Sequence, residues 1–257
     1  MKYEIVYGKE VDGGSYKELA APEGCLGLVS KRFPVIPTLG HPWKSASVPF
    51  APIPVVFCYT KGQKCRAILS CIKWFSGRAG NYFAQHLVFE DKLDLIDAGP
   101  AWIIKRRKFY IETLTTWNER DKEKTGQYDW KPNLSPSDYC IGSDEKLEPY
   151  IGEKIQDIAT TWNAEDGQSA NTKFVLLFDS NKQNDDYRLN VLYELYALLD
   201  KSKRWNYQFC TFDGQRGGWQ SHSHYWDIVF VTDNDTKTRD YYKKQKYELI
   251  SLNGGES

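Results

Sequence analysis

The chain has 257 residues, with 34 Lys and Arg against 34 Asp and Glu, and 15% of its residues are aromatic. This length allows one large domain or two small ones. The aromatic content excludes an intrinsically disordered chain, because such chains lack the apolar surface that offsets ordering entropy. Zero net charge disfavours a protein that binds nucleic acid mainly by electrostatic attraction.

The first hundred residues carry strand signals. In Lys2–Gly8, Tyr3, Ile5 and Tyr7 alternate with Lys2, Glu4 and Val6, which predicts a short strand. Residues 33–54 are rich in proline, which cannot donate to a strand ladder, and they predict an irregular connection. Val55–Thr60 and Cys65–Phe75 flank a short loop that contains glycine, a pattern typical of a β-hairpin. Asn81–Glu90 predicts a further strand.

The middle of the chain contains the predicted internal boundary. Trp102–Thr113 is interpreted as a strand interrupted by the basic run Lys105–Lys108. Residues 118–140 are polar, contain glycine and proline, and predict an exposed loop. We therefore expect a β-rich subdomain over residues 1–143 and an α/β subdomain over 144–257, together forming one continuous globular unit.

Residues Lys146–Trp162 predict a helix. Apolar residues at spacings of three and four place a single stripe on one face: Leu147, Ile151, Ile155, Ile158 and Trp162. Ser143 or Asp144 is the expected N-cap, because a side-chain oxygen there accepts from the first free amide groups of a helix.

The rest of the chain alternates strands and helices. Lys173–Phe178 suits a strand buried on both faces, and Leu189, Leu192, Leu195, Tyr196 and Leu199 share one face of a helix over Asp185–Asp200. Strands are predicted at Tyr207–Phe212 and Tyr225–Thr232, and a polar helix at Thr236–Leu252. This order contains a βαβ unit, which predicts parallel strands joined by a right-handed crossover. The expected fold class is α+β, with a β-rich N-terminal half built from hairpins and a C-terminal half in which two or three helices pack on a mixed sheet.

The cellular location of the protein is predicted from signals that the sequence does not contain. No apolar stretch near Met1 predicts a signal peptide, and no run is long enough to predict a membrane span. The six cysteines form no CxxC pair, so a zinc knuckle is not expected. We therefore expect a cytoplasmic protein with free thiols and no membrane partner.

Strong catalytic signatures are also missing from the sequence. It contains no GxxxxGK[ST], GxGxxG, HExxH or GxSxG motif, which disfavours a self-sufficient NTPase. No cofactor is predicted.

The first candidate site lies at the start of the predicted strand Asn81–Glu90. Arg78 offers a rigid fork for a carboxylate or phosphate, and Asn81 and His86 would add polar groups near Phe83. Two interpretations remain open. One is a binding pocket formed by Arg78, Asn81 and His86, and the other is a hairpin turn with His86 hydrogen-bonded in the core.

A cysteine-dependent hydrolase is an alternative function. Cys25 follows a glycine in a loop, His86 or His41 would act as its base, and Asp179 would orient the imidazole. Nothing in the spacing selects these residues, and a free cysteine is more often a small buried residue.

The paired histidines His222 and His224 would suit zinc or iron if Asp213 or Asp227 lay nearby. No third ligand is assigned by the spacing. We therefore interpret this segment as a surface loop and predict no metal site.

A second alternative function is nucleic-acid binding through the basic run Lys105–Lys108. Neighbouring aromatic residues would supply stacking surfaces: Trp102, Phe109 and Tyr110. Because the whole chain is neutral, an ordinary charged surface is the favoured interpretation, and a nucleic-acid partner is not expected.

Acidic residues flank the end of the predicted strand at Phe178. Asp179 follows it directly, and Asp185 and Asp186 begin the next helix. By analogy with other α/β sheets, ligands bind at such strand ends.

Three segments in order carry a family resemblance. They are Tyr7–Tyr16 followed by Leu19-Ala20-Ala21, then Gly80–Phe89, then Lys203–Phe212. In this order they resemble the N-terminal domain of bacterial GTPase-associated proteins, in which "G..GGY..LA", "GN-F-H-LV" and "W-FTF" segments recur. The resemblance spans roughly Met1 to Thr232, and Cys210 departs from the usual residue in the last segment.

The resemblance implies a non-NTPase component of a prokaryotic antiphage system that accompanies a GTPase or an AAA+ ATPase. Of its residues, Asn81, Phe83 and His86 match the family's middle strand. We therefore expect a non-enzymatic sensor or adaptor that binds a protein partner, with Arg78, Asn81, Phe83 and His86 as candidate binding residues. The aromatic content suits this role, because Trp and Tyr are frequent at the energetic centres of interfaces.

Overall fold

The computed structural model describes residues 2–8, 17–20, 55–61, 67–74, 82–89, 97–106, 147–166, 170–179, 185–212 and 226–254. The backbone groups into two compact units. The first comprises Met1–Leu95, Lys108–Asn133 and Gly217–His222, and the second comprises Ile96–Arg107, Leu134–Arg216 and Ser223–Ser257. The boundary predicted at residue 143 and the loop predicted at 118–140 lie outside the described residues, as does the connection at 33–54.

The strands of the first unit pair in antiparallel fashion in the order β2-β1-β5-β4-β3. Their bounds are Lys2–Gly8 for β1, Lys17–Ala20 for β2, Val55–Thr60 for β3, Ala67–Trp74 for β4 and Tyr82–Phe89 for β5. The strands predicted at Lys2–Gly8 and Asn81–Glu90 and the hairpin of Val55–Thr60 with Cys65–Phe75 are therefore confirmed, whereas β2 is not among the predicted strands. Consecutive residues of β3 and β4 are buried, so both faces of these strands are covered.

The second unit contains four described helices and a parallel ladder. Helices α1 to α4 span Pro100–Arg106, Pro149–Ala164, Asp185–Leu198 and Thr236–Lys244. Strands β6 to β9 span Phe174–Phe178, Phe209–Cys210, Ile228–Thr232 and Glu248–Ser251. None of these helices is long and apolar enough to cross a membrane.

Strand β6 is central in the ladder, which has the order β7-β8-β6-β9 with parallel pairs throughout. Every residue of Phe174–Phe178 is buried, as expected for a strand covered on both faces. The chain thus contains antiparallel pairs among β1 to β5 and parallel pairs among β6 to β9, so the βαβ unit and the α+β class with mixed strand pairing are confirmed. The two strands predicted to follow α3 exist, but they are shorter than Tyr207–Phe212 and Tyr225–Thr232.

The strand predicted at Trp102–Thr113 is wrong for its described part, because residues 100–106 form helix α1. Pro100 suits the first turn of a helix, where its missing amide group costs nothing. The next four residues, Ala101 to Ile104, are all buried. A helix that is buried all round has the same uninterrupted apolar run as a buried strand. Short apolar runs do not distinguish the two structures by periodicity alone.

The helix predicted at Lys146–Trp162 is confirmed as α2, but its predicted cap is wrong. The N-cap is Glu148, which makes no side-chain capping bond, and Pro149 begins the helix. Ser143 and Asp144 therefore lie before the helix rather than at its start. The predicted apolar face is buried through Ile151, Ile155, Ile158 and Trp162, whereas Leu147 is half-buried.

The helix predicted over Thr236–Leu252 is also wrong beyond Lys244. Lys246 adopts a positive φ of 63°, which ends the helix, and the chain continues as strand β9. Residues 248–251 pair in parallel with β6, from Phe174↔Glu248 to Leu177↔Ser251. Strand β9 has only four residues, which is too few to show the two-residue hydrophobic period of a strand. The helical pattern before it was therefore extended through it.

Two cations after α3 cap the C-terminal ends of two helices. Lys203 Nζ donates to the carbonyl oxygens of Trp162 at 3.3 Å and Glu165 at 2.6 Å, and also to that of Asn163, at the end of α2. Arg204 donates to the carbonyl oxygens of Ala197 at 3.0 Å and Leu199 at 3.1 Å, at the end of α3. The last carbonyl groups of a helix lack amide donors from a following turn and carry the partial negative charge of the helix, so cations are favourable there.

Tyr207 closes the same region. Its ring stacks on Trp162 with the centroids 4.1 Å apart, and its hydroxyl donates to the Trp162 carbonyl oxygen at 2.7 Å. Burial, followed by the Glu165 and Asp227 carboxylates, raises the pKa of Tyr207 to about 12. The phenol therefore remains a hydrogen-bond donor at neutral pH.

We predict that Lys203→Met destabilises the protein by about 1–2 kcal/mol, because it removes a charged donor from carbonyl groups at the end of α2. Lys201→Met is the matched control, since Lys201 is exposed in the same turn and its substitution should change stability by less than about 0.5 kcal/mol. Denaturant unfolding of the three proteins measures the difference. Equal midpoints for the two variants would contradict the capping role.

Candidate functional site

The carboxyl ends of three parallel strands meet at one edge of the second unit. Asp179 follows β6, Asp233 follows β8, and Asn253 lies just beyond β9. Ligands of α/β proteins bind outside such strand ends, where loops leave the sheet. We call this the carboxyl edge and take it as the candidate site.

Asn253 joins the ends of β6 and β8. Its Oδ1 accepts from the Asp179 amide group at 3.0 Å, and its Nδ2 donates to Asp233 Oδ2 at 2.8 Å. The Asp233 amide group in turn donates to the Phe178 carbonyl oxygen at 2.9 Å. A single side-chain amide thus uses both its donor and its acceptor to fix this edge.

The chain leaves β6 and β8 in opposite directions. From β6 it runs through α3 toward β7 on one side, and from β8 it runs through α4 to β9 on the other side of β6. Right-handed connections in these two directions pass on opposite faces of the sheet, which makes a topological switch point, the place where ligands of α/β proteins bind. The candidate site is therefore centred outside Phe178 and Thr232.

Arg188 brings a buried cation to this edge. It lies in the first turn of α3 and is 3% exposed, and its guanidinium lies 4.5 Å from the centroid of the Phe178 ring. The Phe212 ring is 6.0 Å away. A guanidinium over aromatic rings is stabilised by their quadrupoles, which partly offsets its lost hydration.

Two phenols share the Glu148 carboxylate near the end of β9. Tyr150 lies 3.3 Å and Tyr187 3.5 Å from Glu148 Oε2. The single Tyr150 hydroxyl proton has a second acceptor in the Leu252 carbonyl oxygen, which is closer at 2.9 Å. Burial and the adjacent Glu148 charge raise the pKa of both phenols. Both therefore stay protonated at neutral pH and act as donors.

The first sequence-predicted pocket is only partly described. His86 is fully buried in β5, and its Nδ1 lies 2.8 Å from Oγ of Ser70 on the neighbouring strand. Burial lowers the pKa of His86 to about 3, so the ring is neutral. Phe83 lies in β5 opposite Gly8 and Lys73. Arg78 and Asn81 lie outside the described residues, so the structure does not show whether they approach His86.

The residues of the predicted cysteine site are not brought together in the described part of the chain. Cys25 and His41 lie outside it, and Asp179 lies at the carboxyl edge with its amide group bound to Asn253. The described free cysteines are all buried: Cys58, Cys71 and Cys210.

The histidine pair considered for metal binding, His222 and His224, lies outside the described residues together with Asp213. Asp227 is described, and its carboxylate accepts from the Gln208 amide group at 2.7 Å and lies 3.8 Å from Lys173 Nζ. Within the described ranges, no cluster of three His, Cys, Asp or Glu side chains is arranged to hold a metal ion.

The basic run is described only at its start, since Arg107 and the residues after it lie outside the described ranges. Lys105 Nζ lies 4.5 Å from the centroid of the Tyr193 ring, within the second unit. Trp102 is 4% exposed, so its ring packs in the core and offers no stacking surface to a nucleotide.

The sequence analysis named Asp179 and the start of α3 as flanking a strand end at which ligands bind in other α/β sheets. Both lie at the carboxyl edge. The sequence analysis missed five residues of the site: Tyr150, Tyr187, Arg188, Asp233 and Asn253. Arg188 had a usable signal, since a cation one turn into a helix that follows a buried strand is placed at that strand's carboxyl end. Asn253 had none, because the strand before it was predicted as a helix.

Comparison of the chain with known proteins finds no matching family model, no matching curated protein and no matching solved structure.

We predict that acid destabilises the wild-type protein through His86. The unfolded state gains a proton near pH 6.5, whereas the folded state resists protonation until about pH 3, so stability present above pH 6.5 is lost between these values. The loss at pH 5 should be about 2 kcal/mol. His86→Gln keeps a polar group beside Ser70 but does not titrate, so the stability difference between the two proteins should change with pH. A difference independent of pH between 7 and 4 would contradict the assignment.

We predict that Asn253→Ala destabilises the protein by about 1–2 kcal/mol, because the Asp179 amide group and the Asp233 carboxylate each lose a partner. Asn253→Asp should cost more, since it places a second carboxylate against Asp233. Asn234→Ala is the control, because Asn234 is an exposed asparagine in the turn after β8. Thermal unfolding of the three variants would contradict the prediction if all lost equal stability.

Proposed function

We propose that this chain is a non-enzymatic sensor or adaptor of a prokaryotic antiphage system that binds a protein partner, such as a GTPase or an AAA+ ATPase. The proposal rests on the ordered resemblance of three segments to the N-terminal domain of GTPase-associated proteins. It assigns the protein to the cytoplasm of a bacterium.

The roles of the described residues in these segments support the proposal. In the last segment, Arg204 caps α3 and Tyr207 stacks against α2. In the middle segment, His86 is a buried partner of Ser70. Residues with such roles hold a fold together. If their order is the same as in the GTPase-associated domain, we expect the fold to be the same too. The partner class then follows from the resemblance.

The environment of His86 disfavours a catalytic role for that residue. A general base must reach the proton that it removes and should titrate near the working pH. His86 is fully buried, and its pKa is lowered to about 3. We therefore assign His86 to the scaffold of β5, and Arg78 and Asn81 remain the candidate ligand-binding residues.

Co-purification with the products of neighbouring genes tests the proposed function. The tagged full chain should retain an NTPase encoded nearby, and the complex should survive gel filtration. Retention of none of these products would overturn the proposal.

A matched pair of variants locates the contact. Arg78→Ala with Asn81→Ala should weaken retention of the partner, because both candidate polar groups are removed. Lys201→Ala removes one exposed charge and should leave retention unchanged. Equal retention by both variants would contradict a role for Arg78 and Asn81 while leaving the partner class in place.

A further inference from the structure

Helix α4 and the turn after it carry a concentrated positive charge. Lys237, Lys243, Lys244 and Lys246 are all exposed, and Asp240 is the only acidic residue among them. We call these five residues the basic surface. Lysine ammonium groups on one short element attract an anionic partner, although each isolated surface pair contributes little.

The fold holds this surface rigidly. Asp235 caps α4 through the Thr238 amide group at 3.1 Å and the Thr238 hydroxyl at 2.7 Å. Arg239 turns inward and donates to the Asp233 carbonyl oxygen at 2.7 Å. Tyr242 is fully buried beneath the helix. The remaining cations of α4 are therefore presented outward on a fixed element.

Lys246 occupies a position that suits glycine. Its φ of 63° lies in the left-handed region, which costs an ordinary residue free energy and which glycine adopts freely. Helices commonly end with glycine at this position. Lysine at this position adds an exposed cation to the basic surface at the expense of backbone stability.

Helix α2 presents the opposite charge. Glu153 and Asp157 lie one helical turn apart and are exposed, and Asp166 is exposed just beyond the helix. We call these three residues the acidic surface. Helix α2 contains one lysine, Lys154. Its ammonium group donates to the Ser251 carbonyl oxygen and is therefore directed toward β9.

The two surfaces lie on opposite faces of the parallel ladder. The connections through α3 and α4 run in opposite directions from adjacent parallel strands, and right-handed connections then place these helices on opposite faces. Helix α2 packs on α3. The basic surface of one molecule therefore cannot meet its own acidic surface, but it can meet that of another molecule.

We propose that the basic surface binds the acidic surface of a second copy of this chain, in head-to-tail self-association. Charge complementarity favours this occupant, and zero net charge removes long-range repulsion between copies. The exposed carboxylate of Asp240 within the basic surface disfavours a phosphate backbone as the occupant. The contact is heterologous, so it forms rings or open chains rather than a symmetric dimer.

Analytical ultracentrifugation of the full chain tests this proposal. The weight-average mass should rise with protein concentration at about 0.01 M ionic strength and fall to that of a monomer at about 1 M, where charges are screened within about 3 Å. A wild-type protein that stays monomeric at low ionic strength overturns the proposal.

Two charge-reversed proteins test complementarity directly. Lys243→Glu with Lys244→Glu makes both surfaces acidic, and Glu153→Lys with Asp157→Lys makes both basic. Each protein alone should associate at least about tenfold more weakly than the wild type, which corresponds to about 1.4 kcal/mol. An equimolar mixture of the two should restore association. A mixture that remains monomeric overturns the proposal.

Lys246→Gly separates the surface role from folding. It should raise the midpoint of unfolding, because the left-handed strain is relieved, and it should weaken self-association. Lys201→Glu changes an exposed charge outside both surfaces and should alter neither measurement. Unchanged association of Lys246→Gly counts against the proposal.

A labelled single-stranded DNA oligonucleotide distinguishes the competing occupant. If Lys243→Glu with Lys244→Glu abolishes binding to this probe while the wild type shows no self-association, the surface takes nucleic acid and the proposal fails. The test does not depend on the proposed NTPase partner, because it uses only this chain and the oligonucleotide.

Discussion

The second unit depends on satisfying backbone carbonyl groups where helices end against the sheet. Buried carbonyl groups must find donors, and the last turn of a helix provides none. The turn between α3 and β7 supplies two cations in succession, Lys203 for α2 and Arg204 for α3. Arg204 also donates to the Asp97 carbonyl oxygen at 2.9 Å, ahead of α1. One short turn therefore holds the C-terminal ends of α2 and α3 and the start of α1 at the end of the ladder where β6 and β7 begin.

Much of this fold could be predicted because its elements have clear periods. The helical stripe that ends at Trp162 and the uninterrupted apolar run at Phe174–Phe178 each correspond to one structure. Prediction was wrong for two short segments. Helix α1 consists of an apolar run without a helical period, and β9 follows a helix that ends at a single residue of left-handed conformation, Lys246. The candidate site was accessible only in part, because Asp179, Asp233 and Asn253 meet through strand order, which no local pattern encodes.

Buried residues of the resembling segments, such as Tyr207 and His86, have structural roles, whereas contacts with a partner need exposed residues. Tyr207 and His86 are buried and hydrogen-bonded, so changes there act first on stability. We place recognition instead on outward helix faces, where exposed charged side chains are not used in internal hydrogen bonds. The division is visible within α4 itself, in which Arg239 is committed to the Asp233 carbonyl oxygen while Lys243 and Lys244 face outward.

The position of β6 has a consequence for synthesis of the chain. Both of its neighbours, β8 and β9, come later in the sequence, with β9 beginning at residue 248. During translation the segment Phe-Val-Leu-Leu-Phe therefore emerges without either pairing strand, and its edges stay open until nearly all of the described chain has left the ribosome. Such a segment is prone to intermolecular β-pairing, and contacts distant in sequence form slowly. Release of a shortened chain that lacks β9 would leave one edge of its most apolar strand permanently open to aggregation.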